Sequence, residues 1–373
     1  MKLVIKSILA YVLALSLFLF IFSPTSNKTN ISLYTGSEAA VTCSTVKNAD
    51  VRISSRLAEL LFGKNEEKDT VLLIPGGGIF GAKIKQSYVS IQSAGENSEL
   101  KAGDKILSVN GKRVSSAAEI KDAIQNIGAN EVVLTCERGG KELTIRLTPS
   151  NINGEYKLGL VLKDGAAGIG TITYIDPSTG EFGGLGHGIC DGDTGEVIGF
   201  TEGEVTGVVL SGVKKGEEGK PGELSGMLTD KVSGVIYSNT DCGVFGKLDK
   251  IPDTITPTPI AIAHRDEVHE GDAVIRSTVK SGTIKEYKIQ ILEVNKASTG
   301  TKSFKIKVTD PTLIAITGGV VRGMSGSPII QDGKLVGAVT HVMVASPTDG
   351  YGIFIENMLN AAENANINSQ NAA

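Results

Sequence analysis

The chain has 373 residues, a formal net charge of −4, 21% charged and 40% hydrophobic residues. That length accommodates two domains plus tails, and that balance belongs to a globular protein with a real core. The mild acidity, with no basic stripe, excludes nucleic acid as a partner.

Lys2 and Lys6 precede an uncharged stretch over residues 7–27 with a strongly apolar centre. Residues 1–27 are read as a signal anchor and transmembrane segment, since no A-x-A cleavage site follows closely. The leading lysines place the N-terminus in the cytoplasm and the body of the chain outside. Residues 28–69 are read as a tether with one short amphipathic piece.

Residues 70–149 follow a β-α-β pattern. VLLIP is an apolar strand, and Asn110-Gly111 sits between two short strands as a hairpin turn. Residues 116–127 carry a serine cap candidate and apolar residues at helical spacing. Gly139-Gly140 marks the tip of a second hairpin. Gly76, Gly78 and Gly81 spell G-x-G-x-x-G, but a period-two pattern follows where a dinucleotide site needs a helix. The segment ELKAGDKILSVNGKRVSSAAEIKDAI resembles a PDZ domain. That resemblance implies a peptide groove between a strand edge and the helix, with backbone N–H groups of a glycine-rich loop taking a terminal carboxylate. Gly76, Gly77, Gly78 and Gly81 are the candidates for that loop.

Residues 150–365 are dense in short alternating runs broken by Gly, Pro, Asn and Asp, the mark of an all-β barrel or sandwich. A closing helix precedes a frayed tail at 366–373. The loop GVKKGEEGKPGEL lacks the Ser or Thr of a P-loop and reads as a solvated connection. The four cysteines are scattered with no CxxC or Cys/His cluster, so neither a metal nor any cofactor is expected.

Two stretches carry chemistry. GGLGHGICDGD holds His187 in a glycine-lined turn, and GGVVRGMSGSPIIQDG holds Ser325. Amide hydrolysis by serine needs a hydroxyl, a base near its working pH and donors for the developing oxyanion. Ser325 is the candidate nucleophile, His187 the candidate base, and the N–H groups of Gly323 and Ser325 the candidate oxyanion hole. The order His187 then Ser325, far apart in sequence, fits a chymotrypsin-like pair of barrels. His264 and His269 lie in a charged loop, and His341 lies in an apolar strand as a core residue. The fold expected is therefore mainly β: a PDZ domain (α+β) followed by a chymotrypsin-like double β-barrel, with an N-terminal membrane helix.

The chain resembles the stage IV sporulation protein B (SpoIVB) peptidase family. The likeness is carried by IPGG at 74–77, AAGIGT at 166–171, GLGHGI at 184–189, the Ser325 segment and PTDGYGI at 347–353. The resemblance implies a serine endopeptidase with His187, Asp310 and Ser325 as its triad. Asp310 lies close before the serine, whereas a chymotrypsin-type Asp comes nearer the histidine, where Asp241 would fit on spacing. It also implies a place between the forespore and mother-cell membranes and self-cleavage in the N-terminal region. The further partner implied is a membrane-bound inhibitor of an intramembrane protease, whose release matures a late sigma factor. The alternatives are a PDZ scaffold with an inactive protease domain and a general quality-control protease.

Overall fold

The computed structural model describes residues 70–371 other than 96–98, 193 and 281, together with three two-residue strands nearer the N-terminus. The chain forms two compact units, Met1–Thr70 and Val71–Ala373. In the first, β1 (Leu33–Tyr34), β2 (Ala40–Val41) and β3 (Val51–Arg52) pair in that order as an antiparallel sheet. The expected anchor at 1–27 lies outside the described residues. Among the described residues, no helix is long and apolar enough to cross a membrane.

The second unit holds two closed barrels. The first is built from β5 (Ile79–Ser93), β12 (Val161–Ile175), β13 (Glu181–Gly184), β16 (Gly243–Leu248), β15 (Glu223–Thr240) and β14 (Phe200–Lys214), which pairs back onto β5. Phe80, Phe182, Ile172, Val205, Ile236 and Val244 fill it. The second closes in the order β18 (Gly271–Ser277), β19 (Lys285–Val294), β20 (Phe304–Val308), β23 (Ser346–Phe354), β22 (Lys334–Met343) and β21 (Pro328–Gln331). Alternate residues of β18 and β19 are buried, the period of two that a pleated strand imposes on a barrel wall. Helix α2 (Pro311–Thr317) follows β20, and α3 (Ile355–Asn371) follows β23.

The PDZ unit is inserted into the first barrel. β5 pairs with β12 and β14 along residues 79–86, then with β6 (Lys105–Val109) through Val89↔Ile106. β12 faces residues 90–93 of β5 at its start, shifts register after Lys163, and continues into the barrel from Gly165. Between these strands lie β7 (Lys112–Arg113), α1 (Ala117–Ile127), β8 (Val132–Arg138), β9 (Lys141–Leu147), β10 (Ser150–Ile152) and β11 (Glu155–Lys157). The sequence reading drew its boundary at 149/150. The strand pairing puts both junctions inside continuous strands instead. VLLIP, as β4 (Leu72–Pro75), pairs with β12 and with β17 (Ile260–Ala261), outside the PDZ sheet.

Local chemistry explains the insert. Asn110 and Gly111 both have positive φ, 48° and 76°, which a tight hairpin requires. Ser116 caps α1 by accepting the Glu119 N–H, and the Glu119 carboxylate accepts the Ser115 N–H. Ile120 and Ile124, four apart, are buried against Val89, Ile106 and Leu134. Gly128, at φ 71°, ends the helix by donating to the Ile124 carbonyl.

Candidate active site

Both chemistry-bearing loops are tied to one residue of β12. Thr171 is fully buried. Its N–H donates to the Ser325 carbonyl at 3.0 Å and its hydroxyl to the Gly323 carbonyl at 2.8 Å. Its own carbonyl accepts the Leu185 N–H at 3.2 Å. Leu185 and Gly186 both take left-handed φ, 65° and 68°, and turn the chain from β13 into His187. For Leu185 this conformation costs on the order of 1 kcal/mol, which its buried side chain and its Thr171 bond offset. A Cβ on Gly186 would lie 3.0 Å from the Thr340 side chain, so the histidine turn of barrel one presses directly on β22 of barrel two. A Cβ on Gly326 would lie 2.1 Å from the Thr171 carbonyl oxygen and 2.5 Å from the Leu185 nitrogen. Only glycine lets the serine turn approach the histidine turn this closely.

The Ser325 hydroxyl donates to the Thr340 carbonyl at 2.8 Å. The next residue, His341, has its ring centroid 5.2 Å from that of His187. The imidazole, the hydroxyl and His341 thus converge on the seam between the barrels. His187 Nδ1 lies 2.9 Å from the Gly188 carbonyl oxygen. A carbonyl only accepts, so Nδ1 carries the proton and Nε2 is left with its lone pair, the tautomer a general base needs. Burial pulls the His187 pKa below its ordinary value, against the Gly188 bond, which pulls the other way. For His341, burial first, then the charges of His187 and Lys302, lower it to about 4.

Among the described residues, no acceptor takes the N–H of Gly323 or of Ser325, while the Met324 N–H between them is engaged by the Val321 carbonyl. Gly323 has φ 95°. The two N–H groups singled out in the sequence are therefore the free ones in this turn.

Asp310 is placed elsewhere. It is the N-cap of α2, where its carboxylate accepts the N–H groups of Thr312 at 2.9 Å and Leu313 at 3.1 Å, and that of Lys288 at 3.3 Å. Its hydrogen-bond partners are these backbone groups and the Thr312 side chain, and His187 is not among them. The expectation that Asp310 orients the imidazole gains no hydrogen bond in this structure, where the Asp-Pro pair at 310–311 is a helix start. Asp241 sits in the β15–β16 turn, which packs against the histidine segment. Asn239 bonds the Ile189 N–H at 2.8 Å and the Ile189 carbonyl at 2.9 Å, and a Cβ on Gly188 would lie 2.8 Å from the Thr240 carbonyl oxygen. The Asp241 carboxylate itself is exposed and raises the thiol pKa values of Cys190 and Cys242, whose burial is the larger cause. Thr171 ends the AAGIGT segment that carried the family likeness, without a role assigned to it, and nothing in the sequence flagged Asn239 or Thr340.

The four glycines expected to line the PDZ groove also lie elsewhere. Gly76 and Gly77 donate to the Thr173 and Ile172 carbonyls, Gly78 accepts from Ile172, and Gly81 is paired inside barrel one with Ile169 and Thr206. All four belong to or border the wall of barrel one, not the PDZ sheet, so this set is corrected. A groove of about 330 Å³ runs instead between α1 and residues 155–162, with Ile120, Ile124, Leu158, Leu160 and Leu162 in its walls. Gly159 has φ 70°, and the N–H groups of Leu158, Gly159 and Leu160 have no acceptor among the described residues. The Gln125 side chain fixes this segment by bonding both the N–H and the carbonyl of Tyr156. The signal was present as KLGLVL, but it reads as the start of an ordinary apolar strand.

Comparison with known proteins agrees with this organisation. A "Putative zinc metalloprotease LL2128" of Lactococcus lactis subsp. lactis is 30% identical over 114 residues, 30% of this chain and 25% of that protein. A "Probable periplasmic serine protease do/HhoA-like" of Haemophilus influenzae is 32% identical over 151 residues, 34% of this chain and 32% of that protein. The chain thus spans about a third or less of the length of these curated relatives. The Rv3671c protease from M. tuberculosis in its active form is 14% identical, with a TM-score of 0.32, covering 52% of this chain and 72% of that one. Residues 87–138 match the PDZ domain, and residues 154–359, more than half of the chain, match SpoIVB peptidase S55. The chain belongs to the SpoIVB peptidase S55 family of serine peptidases.

Proposed function

We propose that this protein is an extracytoplasmic endopeptidase in which Ser325 is the nucleophile and His187 the base. The observation that carries the reading is the shared anchorage of both loops on Thr171, which brings two residues remote in sequence to one seam. The Ser325 hydroxyl leaves the Thr340 carbonyl by rotation about its side chain and gives its proton to His187 Nε2 as Oγ bonds the scissile carbon. The carbonyl π pair moves onto oxygen, which the Gly323 and Ser325 N–H groups stabilise. His187 passes the proton to the leaving nitrogen as the C–N bond breaks, and water releases the acyl group by the same route. The Gly188 carbonyl holds the tautomer in the resting site. Asp310 and Asp241 are the two carboxylates proposed to support the imidazolium.

The substrates are proteins or peptides, selected in part by the groove on α1. The free N–H groups at Leu158–Leu160 suit a C-terminal carboxylate, and the leucine and isoleucine walls an apolar last residue. In the setting the family name suggests, the targets are the chain's own N-terminal region and a membrane-bound inhibitor of an intramembrane protease. The place of action is the space between the two spore membranes, where the chain is tethered by residues 1–27.

The test compares residues 32–373 as wild type and as Ser325→Ala. Self-trimming and labelling by a fluorophosphonate are expected to fall by about 10⁴ or more in the variant. Equal trimming of both proteins refutes Ser325 as nucleophile. Failure of the folded wild type to label at any pH favours the inactive scaffold, and broad digestion of casein favours the quality-control protease.

A further inference from the structure

The loop read from sequence as a solvated connection is the tip of the β14–β15 hairpin. Its middle, residues 217–220, is exposed, but Gly216 and Gly222 on either side are buried. The Gly216 N–H donates to the Thr317 carbonyl, and the Gly219 N–H to the Val344 carbonyl. Two further contacts fall on the loop that precedes the nucleophile. The Arg322 N–H donates to the Gly222 carbonyl at 2.9 Å, and the Leu224 N–H donates to the Arg322 carbonyl at 2.9 Å. The Leu224 side chain, a member of barrel two's core although it hangs from a barrel-one strand, lies under Gly323, 3.0 Å from where a Cβ would stand.

The Arg322 carbonyl and the Gly323 N–H belong to one peptide unit. In a planar trans peptide these two groups point in opposite directions. Fixing the carbonyl on Leu224 therefore aims the Gly323 N–H the other way, away from the hairpin. Gly323 has φ 95°, a conformation that glycine enters and leaves with little penalty, so nothing intrinsic to the residue holds this peptide in one orientation. Thr171 secures the far side of Gly323 and the Ser325 carbonyl, but it makes no bond to the Arg322–Gly323 peptide.

We infer that the β14–β15 hairpin sets the oxyanion hole, with Leu224 as the positioning residue whose N–H keeps the Arg322–Gly323 peptide from flipping. The inference rests on the reading of Ser325 as nucleophile and Gly323 as oxyanion donor. Barrel one thereby contributes its histidine and also controls a donor that barrel two carries. Gly222 is part of the device. A Cβ there would lie 2.4 Å from the Gly216 nitrogen and 2.6 Å from the Val321 side chain, so the strap and the loop mesh without a side chain between them.

Two substitutions separate the N–H from the packing. Leu224→Pro deletes the donor, and because this N–H already points out of the β14–β15 ladder the strand pairing survives. Leu224→Ala keeps the donor and removes the side chain. For Leu224→Pro, kcat is expected to fall by about 10² to 10³, the loss typical of one oxyanion donor, with KM and the acid limb of the pH profile unchanged. The affinity for a peptide boronic acid, whose tetrahedral adduct occupies the same hole, is expected to fall by a similar factor. Leu224→Ala is expected to melt at a lower temperature but to keep its boronate affinity when folded. A folded Leu224→Pro with wild-type turnover and boronate affinity overturns the inference. Should Leu224→Pro not fold, amide exchange in the wild-type protein decides. The Leu224 N–H is expected to be protected before inhibitor, and the Gly323 N–H only after boronate binds. A Gly323 N–H already protected in the free protein overturns the inference. Ser325→Ala separates the two levels: if it cleaves like wild type the nucleophile reading falls, whereas an inactive Ser325→Ala beside a fully active Leu224→Pro sinks the inference alone.

Discussion

Asp310→Asn distinguishes a catalytic aspartate from a helix cap. Asparagine is about as good an N-cap as aspartate, and its amide oxygen can still accept the Thr312 and Leu313 N–H groups. The expected loss of folding stability is therefore a few tenths of a kcal/mol, against about 1 kcal/mol for Asp310→Ala, which leaves the start of α2 uncapped. If Asp310 instead held the imidazole of His187, the amide would favour the wrong tautomer and the rate would fall by about 10⁴. The two roles differ by orders of magnitude in one variant. The assay is the rate of fluorophosphonate labelling per folded molecule, with stability taken from urea titration of the same samples. Near-wild-type labelling of Asp310→Asn is expected. A thousandfold loss in a protein that unfolds at the wild-type urea concentration would refute the reasoning from the cap. The pH behaviour follows from the same contacts. Burial would raise the Asp310 carboxyl, but the N–H groups of Leu313, Lys288 and Thr312 and the Thr312 side chain together outweigh it and hold it below the ordinary range. A depressed carboxyl stabilises the fold above its unfolded pKa of about 4 and ceases to do so as pH falls through the lower folded value. The stability difference between wild type and Asp310→Asn should accordingly be constant near neutrality and shrink below about pH 4.

Because burial keeps His187 neutral, its base function should persist below the ordinary histidine value of about 6.5 and vanish as pH drops through the lowered pKa; an acid limb of kcat/KM above 7 would contradict this. In the PDZ groove, Gly159→Val forces a β-branched residue into φ 70° and should abolish binding of a peptide with a free apolar C-terminus, measured by fluorescence anisotropy, while leaving fluorophosphonate labelling intact. Leu162→Asp, at a half-buried position of the same groove, should weaken the same peptide without touching Gly159, by placing a charge in the apolar wall.

Much of this was legible because it is local. The Asn110-Gly111 turn, the Ser116 cap and the buried Ile120–Ile124 pair follow from neighbouring residues alone. The approach of the His187 turn to the Ser325 turn was legible for a different reason: the glycines around each advertise close approach of backbone, and both turns bond to Thr171. What was not legible is non-local. β5 runs as one continuous strand from Ile79 to Ser93, and no residue in it announces that its partners change along the way. The glycines at 76–81 looked like a ligand loop because both a ligand loop and a close-packed barrel strand need residues without Cβ. Asp310 could not be read as a helix cap from its place before the serine; only its contacts with Thr312 and Leu313 reveal that.

The splice of one module into another through unbroken strands limits how this enzyme can be cut. A fragment beginning at residue 150 would lack β5, and its removal would leave β12 and β14 each with a bare edge in place of a closed wall. Open edges of that length recruit other chains, so such a fragment should be prone to aggregate and lose its fold along with any regulation it escapes. Excising the insert cleanly would require rejoining β5 and β12 with a short turn near Gln86 and Gly165, where their barrel portions end side by side.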